Sequence, residues 1–299
     1  MGSEMCIRDR IIPILLLVAA CKQYDQDSYQ EYVVVESYAV ANDSLPDVFV
    51  RTTARADDEY NTSELVLDDA NVQIVLLDES GSDEEVFRYI YSSESEKYIP
   101  QNYEHRMLPT RTYRLDISFD DRPEVIQATT TVPDDFEVIN EIPETIVYQG
   151  SQLQLILSET EKTQPQNIFV FTAIALHAKL DNMTPFYFAA LDEDGVEFSD
   201  FEVNSSGLIN EDNFTRNENG TITLNYPWLG IAFYGETRFV THSIDKNLSD
   251  LVRSQDVQLG GSTLSPGEIP NLIYNVEGGI GVFGSLASDT VSTIILNPF

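Results

Sequence analysis

The sequence is poor in cysteine. Only Cys6 and Cys21 are present among the 299 residues, and no cysteine follows Cys21. The body of the chain therefore cannot form a disulfide within itself. A chain of this length buries enough apolar surface to fold without one, and its hydrophobic fraction of 42% is ordinary for a globular protein.

Basic residues are scarce as well. Lysine and arginine together number 17 against 50 aspartates and glutamates, which gives a formal net charge of −33. Nucleic-acid binding needs clustered basic side chains that neutralise phosphates, and the sequence has no such cluster. We therefore expect no nucleic-acid partner. A charge of this size favours solubility without identifying a function.

Recognisable catalytic and cofactor patterns are missing too. His105, His177 and His242 lie far apart and form no HExxH pattern, and no GxSxG is present. The segment Gly279–Gly284 spells GxGxxG, but the residues after it leave no room for the strand–helix crossover of a dinucleotide site. We interpret its glycines as serving turns, bulges or close strand packing. The sequence thus predicts no catalytic residue, cofactor or metal, although a serine hydrolase assembled across the fold stays open.

Three short segments precede the body of the chain. Residues 1–9 resemble the translation of a sequencing adapter, with a short basic leader as the alternative. Residues 10–20 are predicted to be a truncated lipoprotein signal peptide, since their apolar run is too short to span a membrane, which takes about 20 residues. We expect cleavage after Ala20 and lipidation of Cys21, with a plain secretory peptide as the alternative. Residues 21–30 are polar and read as a tether.

Residues 31–133 have the pattern of a β-sandwich. Short β-branched and aromatic runs are separated by turn residues, and in Thr112–Phe119 every second residue is apolar, as in a strand with one buried face. We predict an immunoglobulin-like or transthyretin-like sandwich that ends at Pro133 and folds on its own. Its predicted strands are Tyr32–Val40, Asp47–Thr53, Val72–Leu77, Val86–Tyr91, Thr112–Phe119 and Val125–Val132.

Residues 134–299 are predicted to form a second β-rich domain with one short helix. Asn167–Leu176 is nearly all apolar, which indicates a strand covered on both faces. The pairs Asp194-Gly195 and Asn219-Gly220 are hairpin signals. A helix is expected over Asp245–Arg253, with Asp245 as its N-cap. The other predicted strands are Gln152–Leu157, Phe186–Ala190, Thr221–Tyr226, Thr237–Ser243 and Val291–Leu296.

Two acidic runs offer hard oxygen ligands of the kind that calcium prefers. They are Asp78–Glu85 and Asp192–Gly195. Neither has the spacing of an EF-hand loop, and acidic loops in so acidic a chain are usually solvated. Solvated loops are therefore the preferred interpretation, with calcium binding as the alternative.

Four segments carry a resemblance to a known family. A first strand, Tyr32–Glu36, follows Cys21; Asp69–Ile74 and Tyr113–Leu115 match two further strands; and Asn275–Gly284 matches a closing glycine-rich segment, the most specific of the four. With these segments the chain resembles the Bacteroidota lipoproteins of the domain of unknown function 4249. The resemblance implies an immunoglobulin-like or carboxypeptidase-regulatory-like sandwich in the first half and an association with TonB-dependent outer-membrane receptors. It supplies no catalytic residues.

These observations together favour a lipid-anchored protein of the outer membrane without enzymatic activity. We expect it to be an accessory to a TonB-dependent receptor in nutrient capture. Lys22, Asp25 and Asp27 are similar to the export tag of surface lipoproteins, with a solvated linker as the alternative. The rival functions are a surface hydrolase acting on glycans or peptides and a surface adhesin.

Overall fold

A computed structural model describes residues 29–55, 58, 61–191, 196–258 and 272–298, with the side chains of 256–258 excepted. The predicted signal peptide, Ala20, Cys21 and the acidic run Asp192–Gly195 lie outside the described residues. None of the helices in the described ranges is long and apolar enough to cross a membrane.

The described residues are mainly β-structure, as the sequence predicts. The first nine strands are β1 (Val33–Val40), β2 (Phe49–Thr52), β3 (Ala70–Leu77), β4 (Asp83–Ser92), β5 (Lys97–Pro100), β6 (Thr112–Phe119), β7 (Val125–Thr131), β8 (Thr145–Val147) and β9 (Gln154–Leu157). The remaining strands are β10 (Ile168–Ala175), β11 (Val203–Ser205), β12 (Ile209–Asn210), β13 (Thr215–Arg216), β14 (Ile222–Asn225), β15 (Gly235–Ile244), β16 (Val276–Glu277) and β17 (Ile280–Leu296). Two α-helices are described, α1 (Pro185–Ala190) and α2 (Lys246–Gln258).

The first half of the chain forms a sandwich of two sheets. One sheet has the order β16-β7-β6-β3-β4-β5, and β1 and β2 lie at the edge of a second, eight-stranded sheet. The apolar residues that alternate along β6 and β1 face each other in one core, which contains Tyr113, Leu115 and Ile117 with Val35 and Phe283. The period-2 pattern of Thr112–Phe119 is thus confirmed as a strand with one buried face.

β17 belongs to both halves of the structure. Its first part runs parallel to β1, from the pair Val34↔Ile280 to the pair Val40↔Leu286. Its second part pairs with β15 and β8. The sequence predicts only Val291–Leu296 of this strand, although it begins at Ile280. The sandwich predicted for residues 31–133 is therefore completed by β16 and β17 from the far end of the sequence.

The second half has an aromatic core between the eight-stranded sheet and a small sheet of β13, β14 and β9. Phe169 and Phe171 of β10 contact Phe214 edge-on, and Tyr226 packs against Phe239. A second apolar cluster, on α2, lies against the other face of β10. The prediction that β10 is covered on both faces is therefore confirmed.

The strand predicted at Phe186–Ala190 is wrong, because these residues are helical. Pro185 occupies the first helical position, where its missing N–H costs nothing and its fixed φ suits the helix. The Phe188 N–H donates to the Thr184 carbonyl at 2.9 Å, which closes the first turn. Aromatic content suggested a strand, but the local signal for the helix was the Thr-Pro pair.

Asp245 caps α2 and also ties the two halves together. The Leu248 N–H donates to Asp245 Oδ1 at 2.9 Å, as the N-cap prediction requires. Thr130 of β7 donates from Oγ1 to Asp245 Oδ2 at 2.6 Å, and the same hydroxyl lies 2.6 Å from Ser285 Oγ of β17. All three side chains are buried. We call Asp245, Thr130 and Ser285 the junction network.

Gly281 permits the close approach of β17 to β1. Its φ is +119°, and a Cβ there would lie 2.0 Å from the carbonyl oxygen of Val35. Gly279 approaches the Val33 carbonyl in a similar way, with a Cβ distance of 2.7 Å. Gly279 and Gly281 of the GxGxxG segment thus serve close strand packing, as predicted, whereas Gly284 makes room for the Leu248 side chain of α2.

We expect Gly281→Val to destabilise the protein by roughly 3 kcal/mol or more, because the side chain has no space and the backbone conformation is strained for valine. Chemical denaturation of the variant measures this loss. Gly207→Ala is the control, since nothing lies within 4 Å of a Cβ at Gly207. A Gly281→Val protein as stable as the control would contradict the proposed close packing.

The junction network predicts a pH-dependent stability. Burial raises the pKa of Asp245 from 3.8 to about 6, although hydrogen bonds from Leu248 and Thr130 oppose the shift. The folded protein therefore holds this proton more tightly than the unfolded chain, and the Asp245 contribution to stability falls as pH rises between these two values. The Asp245→Asn variant has no titratable carboxyl group at this position, so this contribution is absent from its stability.

The difference in free energy of unfolding, Asp245→Asn minus parent, should increase by up to about 3 kcal/mol between about pH 4 and pH 7. Urea denaturation of both proteins across this range tests the prediction. Two curves that stay parallel with pH would show that Asp245 does not titrate as its burial requires.

Candidate functional site

The acidic run Asp78–Glu85 forms the turn between β3 and β4 and the first three residues of β4. Asp78 accepts hydrogen bonds from the N–H groups of Ser80 and Ser82, and the hydroxyl of Ser80 is the first cause that lowers the pKa of Asp78. The carboxylates that follow pair with basic side chains, among them Asp83 with Arg114 at 2.9 Å. Nowhere in the described ranges do three or more His, Cys, Asp or Glu residues gather in a position to hold a metal ion.

A buried carboxylate in the second half is also accounted for by its partners. Glu211 is almost completely buried and pairs with Lys162 and with Arg216, the latter at 2.7 Å. Asn167 donates to the same carboxylate at 3.2 Å. The Glu211 carboxylate therefore belongs to a structural ion-pair cluster and is too buried to contact a substrate.

The structure does not bring the three histidines together as a site. His105 lies against Phe87, and its Nε2 is 2.9 Å from the hydroxyl of Tyr113. Burial lowers the pKa of His105, and the neighbouring Glu85 partly opposes that shift. His177 is largely exposed and lies 3.7 Å from Glu236.

His242 and Ser288 form a pair that a hydrolase could use. They face each other across β15 and β17, with His242 Nδ1 2.7 Å from Ser288 Oγ. Burial lowers the pKa of His242, which favours the neutral imidazole that a general base needs. Among the described residues, however, no carboxylate pairs with His242 to orient its ring. The pair therefore lacks the third member of a triad.

The segment between β10 and β15, residues 176–234, carries a surface of a different kind. Its helix α1 buries only Tyr187. The Tyr187 hydroxyl donates to the Leu229 carbonyl at 2.6 Å and accepts from Asn204 Nδ2 at 2.5 Å. Asn204 also donates to the Gly230 carbonyl at 3.0 Å. These bonds fix α1, β11 and the turn at 228–230 to one another.

Four large apolar side chains on these three hydrogen-bonded elements are exposed to solvent. Phe186 and Phe188 flank Tyr187 in α1, Leu229 lies in the turn, and Val203 begins β11; each is more than half exposed. We call these four residues the aromatic patch. Scattered apolar residues are normal on a surface, whereas several around one rigid centre are typical of an interaction site.

The segment that carries the aromatic patch is rich in acidic residues. Residues 176–234 contain ten acidic and two basic residues. An apolar centre with a charged rim is the usual anatomy of a protein interface. The arrangement therefore suits a partner with an apolar contact surface and a basic rim.

Sequence reasoning missed the aromatic patch because it assigned Phe186–Ala190 to a strand. In a strand, Phe186 and Phe188 would lie on one face and be counted as core. In the helix, Tyr187 faces inward and the two phenylalanines are left outside. Recognising Pro185 as a helix start would have exposed the difference.

Solved structures overlap this chain only loosely. A tetra-tandem repeat in the extending region of a large adhesion protein has a TM-score of 0.26 and 9% identity, covering 87% of this chain and 50% of its own. Salmonella alpha-2-macroglobulin reacted with methylamine has a TM-score of 0.24 and 9% identity, covering 89% of this chain and 15% of its own. This chain thus spans half or less of the length of either protein.

The sequence comparisons gave two results. No curated protein matches the chain. A family model does match, and it covers residues 22–292, which include both halves of the fold and the aromatic patch. The chain therefore belongs to the family described as a domain of unknown function, DUF4249.

Proposed function

We propose that this chain is a non-enzymatic protein, lipid-anchored in the outer membrane, that assists a TonB-dependent receptor in nutrient capture. The anchor part rests on Cys21 and the small residues before it. The partner part is carried by one observation, the aromatic patch on a rigid hydrogen-bonded centre. The choice of receptor follows the family resemblance.

Several physical arguments support a protein partner at the aromatic patch. Aromatic side chains contribute large contact areas and are enriched among the residues that dominate binding energy. Tyr187 and Asn204 hold the patch in place, so little ordering is needed on binding. A lipid anchor would raise the effective concentration of the patch near any membrane partner. The acidic surroundings disfavour contact with an anionic lipid surface.

We expect Cys21→Ala to move the protein from the membrane fraction to the soluble fraction. More than one acyl chain gives stable anchoring, and no described helix could replace it. Fractionation of cells that express the chain with a complete signal peptide measures the change. A Cys21→Ser variant should behave identically, and membrane retention of both variants would refute the anchor.

We further expect the parent protein to copurify with a TonB-dependent receptor from its native membrane. The double variant Phe186→Ser and Phe188→Ser should reduce the recovered receptor by at least about tenfold, since loss of central aromatic contacts weakens an interface strongly. The control is Tyr32→Ala, which removes an exposed ring from the other half of the protein. Mass spectrometry identifies and quantifies the receptor.

The pull-down is repeated at raised salt, because an apolar interface survives screening whereas a purely electrostatic association does not. Equal receptor recovery with the double variant would exclude the aromatic patch as the interface. Two results together would favour a hydrolase instead. They are recovery of the parent protein without a receptor, and glycan or peptide hydrolysis that Ser288→Ala abolishes.

A further inference from the structure

A second surface feature lies in the other half of the protein, where residues 41–48 connect β1 to β2. An open depression of about 510 Å³ is bounded there by this connection, β5 and the loop that follows it. Its lining includes Tyr38, Tyr103, Asp43, Asp47 and Lys97. The volume is in the range of small-molecule sites in proteins. None of these residues belongs to the aromatic patch.

The connection at 41–48 is held in place by hydrogen bonds to Met107 and to Tyr89 of β4. Asn42 adopts a φ of +62°, and its N–H donates to the Met107 carbonyl at 2.8 Å. The Met107 N–H returns a bond to the Asp43 carbonyl at 2.8 Å. The hydroxyl of Tyr89 donates to the Pro46 carbonyl at 2.8 Å inside the core, where Leu45 is also buried. The depression is thus formed before any ligand arrives, which lowers the entropic cost of binding.

Two tyrosine rings line this rigid depression and are exposed to solvent. Tyr38 is 46% exposed and Tyr103 is 53% exposed. Tyr38 points outward because it occupies the solvent-facing phase of β1, between the buried residues Ser37 and Ala39. The face of an aromatic ring is electron-rich and attracts weakly positive C–H groups. Exposed rings in a preformed depression therefore offer stacking surfaces.

The charged groups of the depression are already compensated. Lys97 Nζ lies 2.6 Å from Asp47 Oδ2, and Arg106 lies 3.5 Å from Asp43. Asp43 also accepts from the Ser44 N–H at 2.7 Å. Each carboxylate keeps further acceptor sites, and the Lys97 ammonium keeps donors. The site therefore presents adjacent donors and acceptors without a net charge that calls for an ionic ligand.

We infer that the depression lined by Tyr38 and Tyr103 binds a neutral saccharide. A sugar ring presents an apolar C–H face, which suits the tyrosine rings, and neighbouring hydroxyls, which suit the Asp47–Lys97 pair. A polyanionic ligand is disfavoured by the net charge of −33. A cationic ligand would have to compete with Lys97 and Arg106 for the carboxylates. The inference does not depend on the receptor proposal, because it concerns a separate surface.

Isothermal titration of the full-length protein in detergent tests this site. The probes are neutral oligosaccharides (maltoheptaose, cellohexaose, mannohexaose and xylohexaose), with oligogalacturonate as the anionic probe and oligolysine as the cationic one. At least one neutral oligosaccharide should bind. Tyr38→Ala and Tyr103→Ala should each weaken that binding at least tenfold, whereas Tyr38→Phe, which keeps the ring, should retain most of it.

Tyr32→Ala is the matched control, because Tyr32 precedes the same strand, is 43% exposed and lies outside the depression. Thermal melts establish that all variants fold like the parent. Unchanged sugar affinity in both alanine variants would overturn the inference. So would the absence of binding to every neutral probe, or tighter binding of oligolysine or oligogalacturonate at the same residues. None of these results bears on receptor recovery, which the phenylalanine variants test.

Discussion

The pairing of β17 with β1 is the constraint on which the remaining structure depends. It joins residues almost a whole sequence apart, and it brings Phe283 into the first core while Ala287 and Ile295 enter the second. A parallel pair this close leaves no space for side chains at its start, which explains the glycine at 281. The junction network then fastens helix α2 and β7 to the same strand. Both surfaces proposed for binding are held on sheets that this strand aligns.

Local physics made much of the fold predictable. The alternation along Thr112–Phe119 gave a strand with correct limits, and Asp245 was recognisable as a helix cap.

The pairing between distant segments could not be predicted from the sequence. The glycines near 281 look like a break in β-structure because the energetic reason for them lies at Val35, on another strand. The strand predicted at Phe186 was wrong for a different, local reason, because Pro185 marks the start of a helix that leaves Phe186 outside. Neither surface could be read from a motif, because each combines side chains from several elements.

Charge and apolar exposure are distributed differently over the two surfaces. The segment 176–234, which carries the aromatic patch, has ten acidic and two basic residues, whereas the acids of the tyrosine-lined depression are matched by Lys97 and Arg106. The first arrangement suits a large partner with a basic rim, and the second suits a small neutral one. The two proposed binding events involve different residues and therefore do not compete for the same groups.

The position of β17 also bears on when the protein can fold. Contacts between residues far apart in sequence form late, because loop closure must precede them. β1 has to wait for β17 to be synthesised, so one hydrogen-bonding edge of β1 stays without its parallel partner until nearly the whole chain is present. Any product that stops before Ile280 leaves both cores open at once, so premature termination yields a substrate for proteases rather than a half-active protein.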